Sequence, residues 1–158
     1  EYLQKQFKDK TLQKEYICIC CGKPPKRTGD IKTQIIRDPK NRHRYKAVID
    51  TEEGKYARTL YHCIATYGNY YLTRVRLKTG RTHQIRVHMK YLGCPILGDS
   101  IYNKSDSNFP DATLMLHSVQ LKIKLPGQND FTCFRTKTPE RFRKVQKKLK
   151  AKYPKSLI

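Results

Sequence analysis

Short runs in which apolar and polar residues alternate dominate this chain, and they predict strands more often than helices. Tyr16 to Cys21 alternates and ends at Gly22-Lys23-Pro24-Pro25, residues that cannot extend a ladder. Lys26 to Asp30 reads as a basic loop, Thr33 to Ile36 as a short strand, and Asp38-Pro39-Lys40-Asn41 as a polar turn. Arg44 to Ile49 and Thr59 to Tyr67 are further strands, separated by Thr51-Glu52-Glu53-Gly54. Gly68-Asn69 fits a two-residue hairpin turn into Tyr70 to Leu77. There Tyr71, Thr73, Val75 and Leu77 share one face, with Arg74 and Arg76 on the other. Leu114 to Leu125 supplies one or two more strands, closed by Pro126-Gly127.

Three segments carry helical spacing. Glu1 to Lys10 has Leu3 and Phe7 four apart and looks like the tail of a longer helix. After Lys78-Thr79-Gly80-Arg81, Thr82 is the expected N-cap of a short helix that Gly93 stops. Ile85, Met89 and Leu92 line one side of it, while His83, Arg86 and Lys90 fall together on the opposite side. A solvated surface helix has the same split. The last helix starts at Thr138-Pro139-Glu140, with Thr as cap and Pro at the first position, and buries Phe142, Val145 and Leu149. The pattern predicts an α+β fold, a mainly antiparallel sheet flanked by a few helices, in one domain over residues 1–158.

Charge changes this picture most. Thirty-four Lys and Arg against thirteen Asp and Glu give a formal net charge of +21, which favours a polyanionic partner. No apolar run approaches the ~20 residues of a membrane span, and no basic helix has a bulky exposed apolar face, so nucleic acid is favoured over a membrane. Among six cysteines, Cys18 and Cys20 point to one side of their strand and Cys21 to the other, and no second close Cys/His pair stands at zinc spacing. Free thiols in a reducing, intracellular compartment are expected, with no metal site.

The string TGRTHQIRVHMKYLGCPILGDSIY closely resembles the signature of the RluA-like RNA pseudouridine synthases. Gln13 to Tyr16 is similar to that family's strand start, and Ile31 to Lys46 to its strand, Asp-Pro turn and basic run. Gly54 to Tyr61 and Leu114 to Leu121 resemble later blocks, although Ser118 stands where the family usually has Ala. These matches occur in the right order over most of residues 1–140, which is more specific than any single motif.

The resemblance implies a pseudouridine synthase catalytic fold that isomerises uridine in structured RNA, ribosomal or transfer, without a cofactor. It assigns Tyr16 to the tyrosine that lies against the target base and is a candidate general base, and Arg86 to the cation that pairs with the catalytic aspartate. Taken alone, Tyr16 would read as a half-buried strand tyrosine and Arg86 as a solvated helix charge. Arg42 and Arg81 are expected to touch phosphate, His83 to shape the RNA-facing loop, and Lys90 to add to the RNA surface. Asp99 is expected to brace its turn. The family's nucleophile lies in an H-R-L-D-x-x-T-S-G motif that does not occur here; its place would be shortly upstream of Glu1. The chain is thus expected to be the C-terminal part of a catalytic domain, monomeric when complete. The rival is a non-catalytic basic RNA-binding module of the same fold.

Overall fold

A computed structural model describes residues 1–9, 11–154 and 156–157, with the last two described for backbone only. Among the described residues, eight strands form one antiparallel sheet: β1 (Gln13–Cys21), β2 (Thr28–Arg37), β3 (Tyr45–Val48), β4 (Lys55–Tyr67), β5 (Tyr70–Leu77), β6 (Leu116–Lys124), β7 (Phe131–Arg135) and β8 (Ser156–Leu157). Seven run in the order β3-β2-β4-β5-β1-β6-β7, and β8 pairs with β4. The helices are α1 (Tyr2–Asp9), α2 (Gln84–Tyr91) and α3 (Glu140–Lys152).

Sequence pattern explains the placement of these elements. β1 lies between β5 and β6 and is buried on both faces at Cys18, Ile19 and Cys20, so Tyr16 to Cys21 is a near-continuous apolar run, not the expected alternation. β4 and β5 form the predicted hairpin around Gly68-Asn69, with Thr73 and Val75 buried and Arg74 and Arg76 exposed. Phe142, Val145 and Leu149 of α3 join the core shared by β1, Tyr61, Ile85 and Met89. A smaller apolar cluster of Ile35, Ala47, Ala57, Val87 and Tyr102 fixes α2 over β2 and β3.

Several boundaries differ from the pattern. The expected loop at Lys26 to Asp30 gives way at Thr28 to β2, which also absorbs the short strand at Thr33 to Ile36. Gly29 is there for space, not for a turn: a Cβ would stand 2.2 Å from the Tyr61 ring. β7 went unpredicted because an edge strand of mostly exposed residues lacks a buried face to give it a period. On α1, Leu3 and Phe7 are exposed, and Gln6 is the residue that docks, exchanging two hydrogen bonds with the backbone of Lys124. α3 begins after Pro139 as N-cap, without a side-chain cap from Thr138.

Candidate functional site

Strand β5 leads through Thr79-Gly80 into α2, and the entry is built by the carboxamide of buried Gln84. Its Oε1 accepts the Thr79 hydroxyl at 2.7 Å and the Arg81 N–H at 2.9 Å; its Nε2 donates to the Arg58 carbonyl and to Thr59 Oγ1. The N-cap is His83, not Thr82. His83 has φ 54°, in the left-handed region, and its carbonyl accepts the Val87 N–H, the first helical bond. No cap side chain is used because Gln84 and a turn from Arg81 already order the entry. Gly93, at φ +79°, ends the helix as predicted.

His88, fully buried, ties α2 to the sheet. Thr59 Oγ1 accepts from Gln84 and meets His88 Nδ1 at 2.7 Å. Its Nε2 meets Thr33 Oγ1 at 2.9 Å, so both ring nitrogens are hydrogen-bonded to the sheet. Burial lowers its pKa to about 4, which keeps the ring neutral at physiological pH.

Arg86 leaves the helix on the side away from this network. Its Nε donates to Asp99 Oδ2 at 2.8 Å and its Nη2 to Asp99 Oδ1 at 2.7 Å. The Arg86 side chain is 15% exposed and that of Asp99 0%. Oδ1 also accepts the N–H groups of Ile101 and Tyr102, both at 3.0 Å, so Asp99 braces its turn as expected. Burial pushes the Asp99 carboxyl up, but Arg86 and the two amides outweigh it and hold it below its ordinary value.

The ring of Tyr102 lies 5.2 Å below the Arg86 guanidinium. Its hydroxyl accepts the Tyr45 N–H and meets His83 Nδ1 at 2.9 Å. Tyr45 in turn packs edge-on against His83 and bonds through its hydroxyl to Arg37. Burial, with Arg86 nearby, lowers the His83 pKa and favours a neutral ring. Two open grooves flank this hub. One, of about 620 Å³, includes Arg37, Tyr45, Lys55 and Arg81; the other, of about 430 Å³, includes Arg44, Lys46, Lys90 and Lys104. Arg42 is exposed in the β2–β3 loop, where its carbonyl accepts from Arg37. Arg42, Arg81, His83 and Lys90 are therefore gathered around β3.

Tyr16 stands apart, on β1. It pairs with Val75, which pairs with Tyr61, placing it on the sheet face that α2 covers, two strands from β4 or roughly 10 Å. Burial raises its pKa, against a hydrogen bond from Ser118, so the phenol keeps its proton. Among the described residues no hydrogen bond joins it to Arg86. Phe7, Lys14 and Leu77 line a separate groove with Thr79, Gly80 and Arg81. Elsewhere, the sulfurs of Cys18 and Cys20 are 3.5 Å apart, while Cys21 points to Asp106. Among the described residues no cluster of three or more His, Cys, Asp or Glu has metal-binding geometry.

Sequence reading missed Gln84, His88, Tyr45 and Tyr102. The buried pair gave no signal, since polar helix positions look alike until their partners across the sheet are known. Tyr45 offered only an aromatic ring between Arg44 and Lys46, and Tyr102 only one between Ile101 and Asn103.

A family model described as RNA pseudouridylate synthase matches residues 1–91, which include Tyr16 and Arg86. The chain is 44% identical over 141 residues to a ribosomal large subunit pseudouridine synthase D of Borreliella burgdorferi, covering 89% of this chain and 42% of that one. It is 38% identical over 134 residues to the dual-specificity RNA pseudouridine synthase RluA of Pasteurella multocida, covering 84% and 60%. The fold is that of human RNA pseudouridylate synthase domain containing 1, with a TM-score of 0.75 at 24% identity over 99% of this chain and 65% of that one. The chain spans less than two thirds of the length of these relatives. It belongs to the RluA-like RNA pseudouridylate synthase family.

Proposed function

We propose that the complete protein isomerises uridine to pseudouridine in structured RNA, ribosomal or transfer, and that this chain supplies the Tyr16 and Arg86 half of the active centre. The supporting observation is that both residues fall inside the matched span 1–91, on two elements, β1 and α2, packed on one sheet. In the reaction the bond from C1′ to N1 breaks, the uracil turns, and C1′ bonds to C5; the proton leaving C5 is balanced by one gained at N1. No cofactor is required by that balance.

The residues divide the work by chemistry. Arg86 is a desolvated cation that can keep a nearby nucleophilic carboxylate ionised and aligned. Tyr16, held as a phenol by burial, suits an aromatic wall for a base flipped out of the stack better than it suits a base that takes protons. Arg42, Arg81 and Lys90, with the neutral His83, form a surface for the sugar-phosphate backbone. The nucleophile belongs to an Arg-Leu-Asp segment, and none of Asp9, Asp30, Asp38, Asp50, Asp99, Asp106, Asp111 or Asp130 has that context. The paired sulfurs of Cys18 and Cys20 suit a reducing, intracellular compartment. The test is to measure pseudouridine, after nuclease digestion, in RNA treated with the complete protein. Conversion of uridine is expected; tight RNA binding without any conversion would favour a binding module instead.

A further inference from the structure

We infer that Asp99 is a positioning residue for Arg86, fixing the guanidinium so that its Nη1–Nη2 edge meets a second carboxylate. This rests on the proposed pseudouridine synthase activity. A guanidinium has two edges able to take a carboxylate through paired N–H groups: the Nε–Nη2 edge and the Nη1–Nη2 edge. Asp99 occupies the first, at 2.8 and 2.7 Å. Among the described residues no hydrogen bond comes from Nη1, and no buried side-chain nitrogen lacks a partner, so Nη1 reaches the surface.

Asp99 itself cannot readily turn to attack a substrate. Oδ1 accepts from Arg86, Ile101 and Tyr102, Oδ2 accepts from Arg86, and the side chain is wholly buried. The amides of Ile101 and Tyr102 fix the carboxylate to the backbone, and the carboxylate fixes the arginine. Tyr102 closes the arrangement by lying 5.2 Å from the guanidinium carbon. One buried acid thus sets the direction from which the catalytic acid is met.

The experiment uses the complete protein and Asp99→Asn, which keeps an oxygen for the two amides but loses the charge. We expect kcat to fall about ten-fold or more with KM little changed, the signature of an interaction used in the transition state. In an Arg86→Ala background, Asp99→Asn should cause no further loss, because its effect passes through the arginine. Unchanged kcat in Asp99→Asn while Arg86→Ala is inactive would overturn this inference and leave the proposed activity standing, and so would losses that multiply. ¹⁵N NMR of the unmutated protein decides the matter should Asp99→Asn not fold or no activity be found. A slowly exchanging Arg86 Nε–H with separate Nη1 and Nη2 signals is expected; a freely rotating guanidinium would overturn the inference.

Discussion

At the scale of single residues, Arg86 serves both function and stability, and His88 stability alone. In the complete protein, Arg86→Ala should severely reduce turnover, and it should also lower stability by ~3–5 kcal/mol, because the wholly buried Asp99 carboxylate loses its charge partner. RNA affinity, measured by titration, should change little. His88 predicts a pH effect on folding. Its pKa falls from 6.5 to about 4 on burial, so the unfolded chain takes up the proton first as the solution is acidified. Stability should be complete above pH 6.5 and decline toward pH 4, by on the order of 3 kcal/mol at most. Denaturant melts of the wild type and His88→Gln across that range check this: the variant should be less stable at neutral pH and flatter with pH. Neither Tyr16 nor Arg86 stood out by residue type; only their place in an ordered series of motifs marked them. The partner of Arg86 was not readable, because Asp99 follows a turn whose course depends on the core.

At the scale of elements, the orientation of α2 depends on one carboxamide and one glycine. Gln84→Ala would strand the Thr79 hydroxyl proton and the Arg81 amide, while the Arg58 carbonyl would keep only the Lys78 N–H. A loss of about 3 kcal/mol is expected in thermal or denaturant unfolding. Gly98, just before Asp99, has φ +75°, and a Cβ there would stand 2.2 Å from the Thr113 carbonyl oxygen. Gly98→Ala should therefore displace the Asp99 turn and lower both stability and turnover, whereas Gly80→Ala, in open space, should leave stability nearly unchanged. Most strands were legible from alternation, and the β4–β5 hairpin from Gly68-Asn69. β7 and the first part of β2 were not, one for want of a buried face and the other because Gly29 mimics a turn while making room for Tyr61.

For the whole molecule, the charge of +21 predicts RNA affinity that falls roughly ten-fold or more between about 50 and 200 mM salt. A flat salt titration would count against the basic grooves as the contact surface. Arg141→Ala should weaken binding modestly and leave chemistry alone, with a small loss of stability because its guanidinium donates to the Leu116 carbonyl. Among the described residues no helix is long and apolar enough to cross a membrane. The family was legible because its motifs keep their order along the chain, and the fold class from the apolar/polar pattern; the meeting of Arg42, Arg81, His83 and Lys90 around β3 was not, since that is set by sheet order. The most direct measurement is pseudouridine formation by these 158 residues alone, beside the complete protein, on one pool of uridine-containing RNAs. The account predicts conversion by the complete protein and none by the 158 residues. Conversion by the 158 residues would contradict it, placing the attacking group among the residues described here.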